Sequence, residues 1–214
     1  MEHAPAAGST RAVFVRSKLA SLLGVVLGVW TVVHVWNNLA VFEGPAAWQD
    51  SVTTHSQPIA LGLITFVVLA AIVLHTLWGL GRLFTSRPNN VHYPTFANLT
   101  YLLQRVSALG VLAFLGAHVW LAFLRPRLVD HQPETFQDIA ATMHGHTPTL
   151  VVYILGTLGV AYHLGNGLFG FAWSYGLGAS RRSLRGFLAA GVVLFAAVLA
   201  MSWAAIWGLW RAGG

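Results

Sequence analysis

Five predominantly apolar stretches of the chain carry no Asp, Glu, Lys or Arg: 19–42, 51–81, 106–124, 139–180 and 186–210. A helix needs about 20 residues to cross the hydrocarbon of a bilayer, so the pattern predicts five membrane spans. The second and fourth runs open with polar stretches, 51–58 and 141–148, which end in Pro58 and Pro148. Proline suits the first turn of a helix, where an N–H would lack a partner anyway. The third helix is expected to begin near Asn98, which puts Arg105 within its first two turns. The expected spans are 19–42, 59–82, 98–124, 149–173 and 187–210, bundled as one all-α transmembrane domain over 1–214. The N-terminal segment holds Arg11, Arg16 and Lys18 ahead of an apolar run, as a signal peptide does. That run is too long for a signal sequence and contains His34, Asn37 and Asn38, so it reads as a permanent span.

Composition agrees. Of 214 residues, 56% are hydrophobic and 8% charged, against about 25% charged in a soluble domain. The formal charge of +6 does not point to nucleic acid, because the basic residues lie between the apolar runs rather than in a patch. They act as topology signals. Arg11, Arg16, Lys18, Arg82, Arg87, Arg105, Arg181, Arg182 and Arg185 fall on one side of the expected bundle, and Arg125, Arg127 and Arg211 on the other. The bias places the N-terminus in the cytoplasm and, after five crossings, the C-terminus outside a bacterial inner membrane. The absence of cysteine excludes disulfides, thiolate catalysis and cluster ligation by this chain. Any redox centre must use other ligands, and there are ten histidines.

Four of them, His34, His75, His118 and His163, lie in four different expected spans. An ionisable side chain inside a span is costly and marks function by default. Depth sorts them. His34 stands 16 residues past Lys18 and His118 13 past Arg105, both on outward-running helices. At about 1.5 Å per residue they reach roughly 20–24 Å from the inner basic markers. His75 stands seven residues before Arg82, and His163 15 past Pro148, both on inward-running helices. Two levels with two histidines each fit the axial positions of two haems. Zinc would require three or four ligands at one level.

The neighbouring residues fit a flat macrocycle. Gly156, Gly159, Gly167 and Gly170 recur with His163 at helical spacing and let a planar ring approach the backbone. Small residues line membrane-helix interfaces in the same way; beside His163 the row is read as a haem face. Gly24, Gly28 and Gly79 repeat the pattern less fully. Arg82 can pair with an inner haem propionate or anchor topology. Gln104 and Ser107 can hydrogen-bond the same propionates or serve packing.

The residues also carry a family resemblance. The segment from Lys18 through Gly24 to His34-Val-Trp-Asn-Asn-Leu-Ala-Val-Phe resembles the first helix of the di-haem cytochrome b subunit of succinate:quinone oxidoreductases. Gln104-Arg-Val-Ser-Ala-Leu-Gly, leading to His118, resembles the family's third helix, and Tyr162-His163-Leu-Gly-Asn-Gly-Leu-Phe, leading to Tyr175, its fourth. His75-Thr-Leu-Trp-Gly matches the second helix more loosely. The resemblance covers about residues 18–177. It implies two haems b, one on His34 and His118, the other on His75 and His163. It implies a cytoplasmic iron–sulfur subunit fed by a flavoprotein that bears the dicarboxylate site. It implies quinone, typically menaquinone, reacting near the outer haem. Such a subunit is the quinone-reactive part of a succinate dehydrogenase, or of a fumarate reductase running in reverse. Some fumarate reductases carry a Glu two residues before the fourth-helix His to assist proton movement. Ala161 stands there, so that path is not expected.

Two other classes compete. The cytochrome b subunits of nitrate reductases, like the cytochrome bc complex, place paired histidines on shared helices; here there is one per helix. A haem-free transporter calls for carboxylates or broken helices at mid-depth, and no Asp or Glu lies inside a span. On the outer side, His55 and then Asp50 are the candidates for the quinone site or its proton supply, with His144 and His146 in the equivalent segment before the fourth span. Imidazole titrates near neutrality and can shuttle protons. Trp36 and Trp120 can flank a ring or anchor the interface. On the inner side, the 86–96 loop with Arg87, His92 and Tyr93, and the 181–185 turn, form the expected docking face for the iron–sulfur partner.

Overall fold

The computed structural model describes the backbone of residues 7–53, 58–85 and 89–214, with side chains over 11–53, 62–85 and 89–214. Among the described residues the chain is helical and has no strand. Five helices are long and apolar enough to cross a membrane: α1 (Ala7–Asn38), α3 (Pro58–Thr85), α4 (Phe96–Val119), α7 (Thr147–Ser174) and α8 (Arg181–Ala212). The expected fold class is therefore correct, and the chain is a multi-pass membrane protein. Large apolar side chains such as Phe66 (70% exposed) and Val193 (67%) point outward along these helices. Lipid is the solvent in which such a surface is stable.

The helix ends follow local chemistry. Pro58 is the first residue of α3 and Pro148 the second of α7, where the ring costs no hydrogen bond. Thr95 caps α4 by accepting from the Asn98 N–H. Ser180 and Ser183 cap each other's backbone at the start of α8. Past Val119 the α4 helix widens into a π-helical segment, Trp120–Leu124, before a final turn α5 (Arg125–Leu128). Pro126 supplies the reason: it has no N–H to give and its ring crowds the preceding turn, so the ladder adjusts.

Two helices in the connections between spans were not expected. α2 (Pro45–Val52) and α6 (Phe136–Gly145) pack over the end of the bundle, where Trp48, Phe136, Met143, Tyr153 and Leu209 form a buried cluster. Gln49 joins them by donating to the Glu134 carbonyl (3.0 Å) and accepting from the Phe136 N–H (2.9 Å). Arg127 adds an ion pair to Glu134 at 2.5 Å. These helices are too short to span and too mixed in polarity to stand out beside the apolar runs.

The spans are arranged around α7, which packs on α8, α4 and α1. Its most apolar window is 28% buried, against 6–17% in the other four. The α7–α8 crossing is tight: a Cβ on Gly165 would lie 2.5 Å from the Gly191 carbonyl oxygen of α8. Small residues let membrane helices approach this closely. At the opposite end of the bundle from α2 and α6, Lys18 of α1 donates to the Ser174 carbonyl at the end of α7. Its ammonium lies 4.3 Å from the Tyr175 ring centre. Tyr175 in turn donates to the Lys18 carbonyl (2.8 Å). A cation here meets the negative end of the α7 dipole and an aromatic face together. Lys18→Met is expected to cost about 1–2 kcal/mol. The check is thermal denaturation of the purified protein, with a midpoint lowered by a few degrees; an unmoved midpoint would show the clasp to be incidental.

Candidate haem-binding site

The four intramembrane histidines meet in two pairs. The His34 ring of α1 lies 5.8 Å from that of His118 of α4. The His75 ring of α3 lies 6.4 Å from that of His163 of α7. The pairs are the ones that depth predicts. Two imidazoles on opposite faces of one metal ion, each bonded at about 2 Å, bring their ring centres to roughly 6 Å. Among the described residues no three His, Cys, Asp or Glu side chains are grouped to hold a metal ion, so each pair brings together two such side chains and no more. The arrangement of helices fits as well. α1 packs along α3, and α4 along α7, whereas the backbones of α1 and α4, and of α3 and α7, stand apart among the described residues. Each histidine pair thus joins a helix of the α1–α3 pair to a helix of the α4–α7 pair, and the two helix pairs also touch directly through α1 and α7.

The ring nitrogens support a ligand role. His75 Nδ1 is 3.0 Å from the Ala20 carbonyl oxygen. A carbonyl only accepts, so Nδ1 carries the proton and Nε2 keeps its lone pair for a metal. Gly24, one turn further along α1, lies against the same ring: a Cβ there would be 3.2 Å from His75 Cε1. His118 Nδ1 is 3.0 Å from the Tyr153 hydroxyl, and His163 Nδ1 is 3.3 Å from Ser107 Oγ. Aromatic stacking fixes the His34–His118 pair further, Trp30 on His34 at 4.7 Å and Phe114 on His118 at 5.5 Å.

Gln104 and Ser107 make contacts within the protein at the level of His163. Gln104 Nε2 donates to the His163 carbonyl (3.1 Å), and its Oε1 accepts from Asn166 Nδ2 (2.8 Å). Ser107 Oγ donates to the Gln104 carbonyl (3.0 Å). Both side chains are turned toward His163, because α4 lies against α7 at this level. The same packing redirects the glycine row. Gly156 faces Phe114; a Cβ on Gly159 would be 3.9 Å from Ser107 and Val111 backbone atoms; one on Gly167 would be 3.8 Å from Gln104 Nε2. These glycines seat α7 on α4, while Gly170 and Gly79 face open space. Arg82 is exposed in the last turn of α3.

Of the two candidates ahead of α3, Asp50 is exposed on α2, and His55 lies outside the described residues. His144 Nδ1 is 3.0 Å from the Trp210 carbonyl oxygen and stacks on the Trp210 ring. His146 is the N-cap of α7, accepting from the Thr149 N–H. These two histidines are engaged in ending and starting helices. Trp36 and Trp120 are 65% and 47% exposed. In the connection between α3 and α4, His92 and Tyr93 are exposed; Arg87 lies outside the described residues. Trp30, Phe114, Tyr153 and Asn166 were not singled out as site residues in the sequence. Helical spacing gives a signal for some of them: Trp30 and Phe114 stand four residues before His34 and His118.

No family model matches the chain. A comparison with curated proteins does: the chain is 29% identical over 170 residues to the succinate dehydrogenase cytochrome b558 subunit of Bacillus subtilis (strain 168), covering 78% of this chain and 83% of that protein. With five apolar helices and a histidine inside each of four, this chain is similar to a succinate dehydrogenase cytochrome b subunit, in keeping with the family that its histidine-bearing segments resemble.

Proposed function

We propose that the chain is the membrane anchor and di-haem cytochrome b subunit of a succinate dehydrogenase. The observation that carries this reading is the pair of histidine pairs, each near 6 Å and each bridging two helix pairs. His34 and His118 would hold the outer haem, His75 and His163 the inner. Two haems b held there would supply a one-electron relay between an iron–sulfur partner on the inner side and menaquinone on the outer side. The chain's own residues set the conditions. The Ala20 carbonyl holds the His75 imidazole, and the apolar spans exclude water from the interior. The basic bias puts the N-terminus in the cytoplasm, and there His92, Tyr93 and the arginines at 181, 182 and 185 would meet the iron–sulfur subunit, itself joined to a flavoprotein. Quinone would react at the outer face, with His55 and Asp50 the nearest candidates to deliver protons.

Protons taken up outside and electrons arriving from inside make the reaction sensitive to the membrane potential. The complex, purified with its partners and placed in proteoliposomes of known orientation, is expected to reduce a menaquinone analogue with succinate faster when the imposed potential drives electrons outward. Turnover indifferent to potential, with protons consumed on the inner side, would place quinone beside the iron–sulfur subunit and refute the outer site.

A further inference from the structure

The α4–α7 interface holds one histidine of each pair, and holds them reciprocally. α4 carries His118, whose Nδ1 meets the Tyr153 hydroxyl of α7 at 3.0 Å. α7 carries His163, whose Nδ1 meets the Ser107 hydroxyl of α4 at 3.3 Å. Tyr153 and His163 are ten residues apart on one helix, and Ser107 and His118 eleven on the other. These spacings correspond to about 15 Å and 16 Å of rise, so the two contacts lie in register on antiparallel helices. Both hydroxyls belong to buried residues, Tyr153 being 9% and Ser107 9% exposed.

We propose that Tyr153 and Ser107 are positioning residues, each setting the tautomer and ring orientation of the axial ligand on the facing helix. The inference rests on the haem ligation proposed above. An imidazole that binds metal through Nε2 must carry its proton on Nδ1 and needs an acceptor there. Ser107 already gives its own proton to the Gln104 carbonyl, which leaves its oxygen free to accept from His163. The nearby Gln104 Nε2, 3.2 Å from the same ring nitrogen, is a donor and cannot take that role. For His118 the Tyr153 oxygen is the acceptor, and its ring stays in place edge-on to Phe114 and His118. Each residue therefore acts on one level only: Tyr153 on the outer haem and Ser107 on the inner.

The test uses the whole complex and reads each haem by its visible band, low-spin ferric resonance and midpoint potential. Tyr153→Phe is expected to shift the outer haem's potential and resonance while the inner haem stays as in the wild type. Ser107→Ala is expected to do the reverse. Tyr153→Gln, which keeps an acceptor near the ring, is expected to return the outer signals toward wild type. Selective loss of the outer haem from Tyr153→Phe would also support the assignment. Loss of both haems would make Tyr153 a packing residue of the bundle and overturn it. So would unshifted signals in both Tyr153→Phe and Ser107→Ala, or shifts at the opposite level. A His118→Ala complex separates this inference from the ligation beneath it. If that complex keeps two unaltered haems, the ligation itself is wrong. If it loses the outer haem while Tyr153→Phe is silent, only the positioning role is wrong.

Discussion

Replacing His163 with alanine is expected to take the haem content of the purified complex from about two per chain to about one, since a haem is held by its axial ligands. The bundle should survive the change. α7 remains seated on α8 through Gly165 and Gly191 and on α4 through Gly156, and Gln104 still has the residue-163 carbonyl and Asn166 to bond. The single variants should then fall into two spectral classes. His34→Ala and His118→Ala should remove one low-spin component, and His75→Ala and His163→Ala the other, because the ring contacts pair them in that way. The remaining component should keep the anisotropic ferric signal expected of ligand planes set 70° or 86° apart. If His34 and His75 variants lost the same component, the pairing would be refuted. If all four variants kept both, the histidines would not be ligands.

The second large effect is expected from Gly165→Leu. The Cβ of any residue there would press on the Gly191 backbone oxygen and lie 2.9 Å from Phe195 Cβ. Overpacking of a fitted interior costs about 1–3 kcal/mol when side chains can yield. Here the nearest atom is backbone, so α7 and α8 must separate. Because α7 carries His163 and the Tyr153 contact to His118, the separation should disturb both levels at once. Haem-loaded protein recovered from membranes is expected to fall at least tenfold, the ratio that corresponds to about 1.4 kcal/mol. Gly62→Ala, at a position with nothing within 4 Å of the added carbon, serves as the control and should be recovered like wild type. Equal recovery of the two variants would show that the glycine crossing does not organise the bundle.

The sequence by itself determined the number of spans, the chemical class of the chain and the identity and pairing of the intramembrane histidines. The reason is that lipid imposes a one-dimensional code. A polar side chain in hydrocarbon is costly wherever the helix finally packs, and a fixed rise per residue turns position in the chain into depth. His34 with His118, and His75 with His163, are therefore paired before any contact is known. Depth, however, says nothing about azimuth. Whether a side chain at the right level faces a cofactor, another helix or lipid depends on how α7 rotates against α4 and α8, and that is set by close packing of glycines whose neighbours are more than twenty residues away in the chain. Thus Gln104 and Ser107 turn to His163, the glycine row of α7 divides between contacts with α4 and open space, and Tyr153 becomes the partner of His118. The short helices α2 and α6 were hidden for a related reason. Their stability comes from covering the bundle end, where Trp48 and Met143 are 2% and 1% exposed, and only the tertiary structure brings that surface together.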